Sequence, residues 1–303
     1  AAPSPAPTKR TRPLGLIAMI VAVLCLSVSS TLIKKAGAPG PTMAFWRMVG
    51  SSVLWTIILR VTEHRFVTRQ ELRRAILPGI AFGLNLTLFF TAVTHTTVAN
   101  AEFIGTLTPI VLVPAGAILF KEHIDPRALL FGLVSVIGLS MVLFLAPPNG
   151  QASWTGNALA FCAMATWSTY LISSRKIRLN TSVAGFMASA MPIASLTILP
   201  IVSYNGDIVH LTWRATAYLV VLVLLAGTLA HGLIQFAQHS VAVGTMSLIQ
   251  IAQPGIAAMW SVILLSTAIR SIQVVGMALV ITGLVLMILQ RQRSAPTATT
   301  GPN

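Results

Sequence analysis

The chain has 303 residues, of which 55% are hydrophobic and only 9% charged. A soluble domain carries about 25% charged residues, so the composition excludes an ordinary water-soluble protein. The formal charge of +14 reflects a scarcity of acids, six against twenty Lys and Arg. The bases cluster between apolar runs, the pattern of a membrane topology signal rather than of a nucleic-acid partner.

The chain opens on an Ala- and Pro-rich stretch, residues 1–13, carrying Lys9, Arg10 and Arg12. The apolar run that follows, Leu14–Ile33, exceeds the 7–15 residues of a cleaved signal core and reads as a permanent span. Further runs at Pro41–Leu59, Ala75–Val93, Val98–Phe120 and Arg127–Leu145 complete a first set of five. A second set follows at Trp154–Ile172, Ser182–Ser203, Arg214–Phe236, Val241–Leu265 and Ser271–Leu289. Each approaches the roughly 20 residues needed to cross a bilayer. Residues 146–153 link the two sets, and residues 290–303 form a polar tail.

Positive charge sets the orientation. With the N-terminus inside, inner segments hold 15 Lys and Arg and outer loops hold 4, namely Lys34, Lys35, Arg214 and Arg270. Both termini are therefore expected in the cytoplasm, with Arg47 left inside span two. Cys25 and Cys162 lie in apolar runs without metal or redox spacing. No GxxxxGK stretch offers a phosphate loop, and no metal or cofactor is implied.

The two sets look related. Ala92-Val-Thr-His95 through Val98-Ala99, Glu102 and Pro109 parallels Ala237-Gln-His239 through Val241-Ala242, Ser247 and Pro254. Glycines follow late in both sets, Gly132 and Gly138 against Gly276 and Gly283. Five spans per repeat is odd, so the second repeat enters the membrane inverted, as in secondary carriers whose site lies between the repeats. The fold class expected is all-α and integral to the membrane: residues 14–145 and 154–289 as two inverted five-helix repeats around a central cavity.

Ala44-Phe45-Trp46-Arg47, the run Val98-Ala99 to Glu102 and Pro109, Phe120-Lys121-Glu122, and the Gly132 and Gly138 pair together resemble the drug/metabolite transporter superfamily, within it the ten-helix EamA-type exporters. The second half departs from that pattern, with Ser266-Thr267-Ala268 where a Lys-Glu pair is expected. The resemblance implies export of amino acids or related metabolites, as in bacterial aromatic amino acid exporters, through a cavity lined by both halves.

Glu102 is the acid that falls well inside an apolar run. It reads as a proton site, as a contact for a substrate amine, or as a neutral acid reached by water. Arg47 either packs structurally, snorkelling or capping carbonyls, or holds a carboxylate with its fork. The structural reading is favoured because the resembling families keep an arginine here. His95 and His239, at matched helix ends, read as caps before proton carriers; His231, deeper in span eight, is the better cavity histidine.

Pro109 and Pro254 remove backbone donors and are candidate hinges. Thr106 and Thr108 precede the first, and Gln250 and Gln253 the second. These four, with Asn85, Trp167, Tyr170 and His231, form the expected substrate-binding set. Helix–helix hydrogen bonding is the plainer use of the polar ones, worth about 0.6 kcal/mol each. Gly79 and Gly83, with the paired glycines of spans five and ten, serve close helix approach.

A non-enzymatic secondary carrier results, exporting neutral or aromatic amino acids or related metabolites by alternating access, and working as a monomer in contact with lipid. The alternative is an exporter of a non-amino-acid metabolite or drug-like compound. A lipid enzyme would need clustered acids or a nucleophile, and a channel would need a filter motif; neither is legible.

Overall fold

The computed structural model describes residues 11–105, 107–108, 153–178, 181–205, 211–237, 249–250, 252–266 and 270–294, with scattered positions between 130 and 141. Every regular element among them is helical. Helices α1, Thr11–Ser27, and α2, Ser29–Ala36, meet at Val28 and make one apolar crossing, Pro13–Ala36. Gly37 ends it at φ 67°, the left-handed exit that glycine adopts at low cost. Pro41 then sits in the first turn of α3, Gly40–Glu63, where its missing N–H would have no partner anyway.

A short surface helix, α4, Arg69–Arg74, is started by a reciprocal cap: Thr68 Oγ1 accepts from Glu71 N, and Glu71 accepts from Thr68 N. Then come α5, Ile76–His95, and α6, Val98–Gly105, the opening of span four. The second half supplies α7, Trp154–Arg178, and α8, Val183–Asn205. It continues with α9, Trp213–Leu222, a wide π-wound segment, Val223–Ala230, and α10, His231–Ala237. Helices α11, Ala252–Leu265, and α12, Ser271–Ser294, follow.

Two differences from the sequence expectation have physical causes. Helix α7 runs to Arg178, past the apolar limit at Ile172, because a helix need not stop where the hydrocarbon does. The single helix expected over span eight is instead widened in its middle. There Thr228 Oγ1 donates to Val223 O at 2.8 Å, five residues back, and Trp55 Nε1 donates to Gly227 O at 3.4 Å. Side chains thereby occupy carbonyls of the widened turns.

The exterior is oil-facing. On α1, Leu14, Ile17, Val21 and Leu24 form an exposed stripe at helical spacing, and Val53, Ile57 and Val61 do the same on α3. The small polar residues Ser27, Ser29, Ser30 and Thr31 are buried instead. Five helices are long and apolar enough to cross a membrane among the described residues. Helix α7 is long enough as well, roughly 37 Å at 1.5 Å per residue, but carries Asn157, Ser168 and Ser174 buried against its neighbours.

Close backbone contacts join the halves. A Cβ on Gly83 would lie 2.7 Å from Ala194 O, and one on Gly79 would lie 3.0 Å from Ala190 O, so α5 and α8 approach as only glycine permits. Likewise a Cβ on Gly138 would fall 2.6 Å from Gly276 O, which brings spans five and ten together as the paired glycines lead one to expect.

At one rim short polar bonds gather, the first within the first repeat and the next two reaching across to the start of the second half. Lys34 Nζ donates to Thr96 O at 2.6 Å, Thr96 Oγ1 to Asn157 Oδ1 at 2.8 Å, and Ser153 Oγ to His95 O at 2.8 Å. His95 Nδ1 lies 2.9 Å from Thr91 O, the helix-end cap expected of it. At the turn between α3 and α4, Arg65 meets Glu71 in a two-pronged pair at 2.8 and 2.9 Å, and Glu63 at 2.8 Å.

Candidate functional site

Between the halves lies a cavity of about 140 Å³. Its wall takes Leu26 and Ser29 from span one, Arg47 from α3, Phe82, Asn85, Phe89 and Phe90 from α5, and Glu102 from α6. Across from these stand Ala163, Met164 and Trp167 of α7, with His231, Gln250 and Gln253. Residues as far apart in the chain as Leu26 and Gln253 therefore share one chamber, because the inverted repeats bring equivalent spans to the same centre.

Of the sequence-expected set, Asn85, Thr108, Trp167, His231, Gln250 and Gln253 line this chamber together, with Glu102 and Arg47. Thr106 and Pro109 lie outside the described residues, as does His239. Pro254 is buried near the start of α11, beside the chamber rather than on its wall. Tyr170 stands behind the wall: its ring stacks on Phe82 with centroids 4.7 Å apart, and its hydroxyl accepts from Gln235 Nε2 at 3.0 Å.

Several of these polar groups hold helices as well as facing the cavity. Asn85 Nδ2 donates to Ala163 O at 2.8 Å, pinning α5 to α7. Thr108 Oγ1 donates to Gly105 O at 2.7 Å. Gln253 Nε2 reaches Glu102 Oε2 at 3.0 Å, so span nine of one half orients the acid of span four in the other. The aromatic side of the chamber is built from Phe82, Trp167 and the edge of His231, with ring centroids 4.8 to 6.3 Å apart. Such tilted and edge-on arrangements are those that ring quadrupoles prefer.

Both charges of the chamber are deeply buried, Glu102 at 4% exposure and Arg47 at 2%. No salt bridge joins either to an opposite charge among the described residues. The Arg47 guanidinium lies 5.4 Å from the Phe90 ring centroid, a cation–π contact. Its Nε and Nη2 have no hydrogen-bond partner among the described residues. A snorkelling arginine would reach headgroups and a capping one would hold carbonyls with those nitrogens. Arg47 also lines the cavity wall.

Sequence reasoning missed Phe82, Phe89 and Phe90, which cover much of the apolar wall, and Ser29 in span one. An apolar span hydrophobic all round gives no signal for which face is inward.

The EamA-like transporter family model matches residues 13–144 and again residues 154–289. The chain belongs to that family. As an EamA-like transporter it is a member of the drug/metabolite transporter superfamily, an all-α membrane protein of ten spans in two inverted five-helix repeats.

Relatives of this EamA protein include the threonine/homoserine exporter RhtA of Salmonella typhimurium, 23% identical over 273 residues, covering 88% of this chain and 87% of that one. RhtA of Escherichia coli K12 is 22% identical over 275 residues, 88% of this chain and 89% of that one. The pseudopaline exporter CntI of Pseudomonas aeruginosa is 23% identical over 202 residues, 66% of this chain and 70% of that one. A solved crystal structure superposes with a TM-score of 0.69 at 18% identity, covering 94% of this chain and all of the other. That likeness concerns the fold.

Proposed function

We propose that this transporter exports neutral or aromatic amino acids, or closely related small metabolites, from the cytoplasm across a bacterial inner membrane. It does so as a secondary carrier by alternating access, as a monomer with both termini cytoplasmic. Residues 14–145 and 154–289 are the two repeats that move against each other, with bending at Pro109 and Pro254.

The observation that carries the reading is Glu102: a buried carboxylate on the wall of a chamber shared by both halves, oriented by Gln253 and paired with no cation among the described residues. A buried charge is costly in a membrane unless something pairs with it. A substrate ammonium is such a partner, and a proton is the other when the chamber is empty. The aromatic wall of Phe82, Phe89 and Trp167 supports an apolar or aromatic side chain on that substrate. A cavity of about 150 Å³ holds a benzene-sized ligand, so the volume supports a small metabolite. Thr106, Thr108, Gln250 and Asn85 complete the polar contacts in this reading.

The test is uptake into proteoliposomes of a labelled amino acid panel that includes threonine, homoserine and phenylalanine, with and without an imposed pH gradient. Saturable uptake that is competed by unlabelled amino acid, and whose response to the pH gradient is lost in Glu102→Gln while exchange persists, supports the reading. Absence of saturable uptake for every member removes the amino acid assignment.

A further inference from the structure

Buried polar atoms nearly always find a hydrogen-bond partner. Among the described residues, four lack one along a single seam between α3 and span eight: Arg47 Nε and Nη2, Ser51 Oγ and His231 Nδ1. Arg47 and Ser51 are one helical turn apart and share a face. Opposite stand Gly227, inside the π-wound segment, and His231, the first residue of α10. The seam is narrow because Gly227 has no side chain. A Cβ there would lie 2.2 Å from Ser51 Oγ and 3.5 Å from Arg47 Nε.

The chemistry of these orphans selects their missing partner. Nε and Nη2 donate in parallel from one edge of the planar guanidinium, which matches the two oxygens of a carboxylate. The serine hydroxyl and an imidazole N–H add donors beside that edge. An ionised carboxylate is acceptor-only and carries the charge that a buried, unpaired guanidinium lacks.

We infer that the cavity wall at Arg47, beside His231, is the seat for the substrate's carboxylate, with Arg47 as its principal contact and with Ser51 and Gly227 packed close behind the guanidinium. The inference rests on the carrier reading above and orients the substrate: carboxylate toward Arg47, ammonium toward Glu102. It makes the transporter select acids against their esters.

The test is ligand-induced thermal stabilisation of the purified full-length chain, since a ligand that binds only the folded state stabilises by RT ln(1 + [L]/Kd). The probes are L-threonine, L-phenylalanine and lactate, each beside its methyl ester, in chloride-free buffer with chloride as a separate arm. The acids are expected to bind on the order of 30-fold more tightly than their esters. Arg47→Gln erases that preference and leaves ester affinity unchanged. Ser51→Ala, a smaller change that serves if Arg47→Gln does not fold, narrows it about threefold.

Equal weakening of acid and ester by Arg47→Gln would mean an architectural arginine and overturns the inference. So does equal binding of acid and ester by the native chain, protection by chloride as strong as by any acid, or no stabilisation by any acid. Amino acids that bind without acid-over-ester preference remove the seat and leave the amino acid carrier standing. Lactate binding without amino acid binding keeps the seat and removes the amino acid assignment.

Discussion

Two arginines of this protein live under opposite rules. Arg65, at the turn between α3 and α4, is partly exposed and engages two carboxylates, Glu71 through both prongs and Glu63 through Nε. Arg47, in the interior of α3, has a ring face and, among the described residues, no carboxylate. The first is where water would have solvated the charge anyway, and it is fully paired. The second is where solvation is absent, and it is left open. Saturated ionic clusters at a surface organise a turn; an unsaturated charge in a chamber is held ready for something that arrives.

The contrast can be broken most sharply at Arg47. Arg47→Gln should cut uptake of a transported amino acid on the order of 100-fold. Its melting temperature without substrate should hold or rise, because an uncompensated buried charge has been removed. Arg65→Gln should do the reverse, lowering the melting temperature slightly while uptake stays near native. If both variants lose stability and transport together, the two arginines do the same work and the contrast is wrong.

Glu102→Gln comes next. Stimulation of uptake by an imposed pH gradient should vanish, while exchange of unlabelled for labelled substrate persists with a KM raised about tenfold. A pH response equal to the native one would remove the acid from any proton role.

Gly227→Ala is a milder wedge. The added methyl overlaps Ser51 Oγ, and such overpacking costs about 1–3 kcal/mol. Affinity for acids should fall several-fold more than stability alone explains, compared in parallel with Gly255→Ala, where a Cβ meets nothing within 4 Å.

The smallest effect belongs to Glu71. Burial pushes its carboxyl up, but hydrogen bonds from Arg65 and Thr68 outweigh that and hold it below its ordinary value of 4.5. The hydrogen bond to Glu71 raises Arg65 in turn, opposed by burial and assisted by Glu63. A depressed carboxyl contributes stability that is present above 4.5 and is lost as pH falls through the lowered value. Glu71→Gln should therefore destabilise by about 1 kcal/mol or less at neutral pH, a deficit that closes in acid titration of the melting temperature.

Much of this architecture was legible in the chain. Apolar run length marked the spans, because lipid leaves the backbone few alternatives to a helix. Gly79, Gly83 and Gly138 announced close approaches that the helices make. Glu102, Gln253 and His231 stood out because a polar residue in an apolar run is conspicuous and does face the chamber. Helix rotation was the illegible part. Nothing in the composition of α5 says that Phe82 and Phe90 face inward while Leu77 faces out. The widened turn at Val223–Ala230 was hidden too, since it depends on Trp55 arriving from another helix. Ser51 could have been found: it sits four residues from a buried arginine, on the same helical face.

The rim where Lys34, Thr96, Asn157 and Ser153 meet has a consequence for how cheaply the molecule can reverse its posture. An oily plug exposed to water on parting would incur a hydrophobic penalty in proportion to its area. Hydroxyls and amides incur far less, because incoming water replaces each bond as it breaks, leaving a net cost of about 1 kcal/mol apiece. Such a latch is strong when dry and nearly indifferent when wet. The shut and parted forms can then differ by only a few kcal/mol, a gap that differential binding of one small ligand is able to tip.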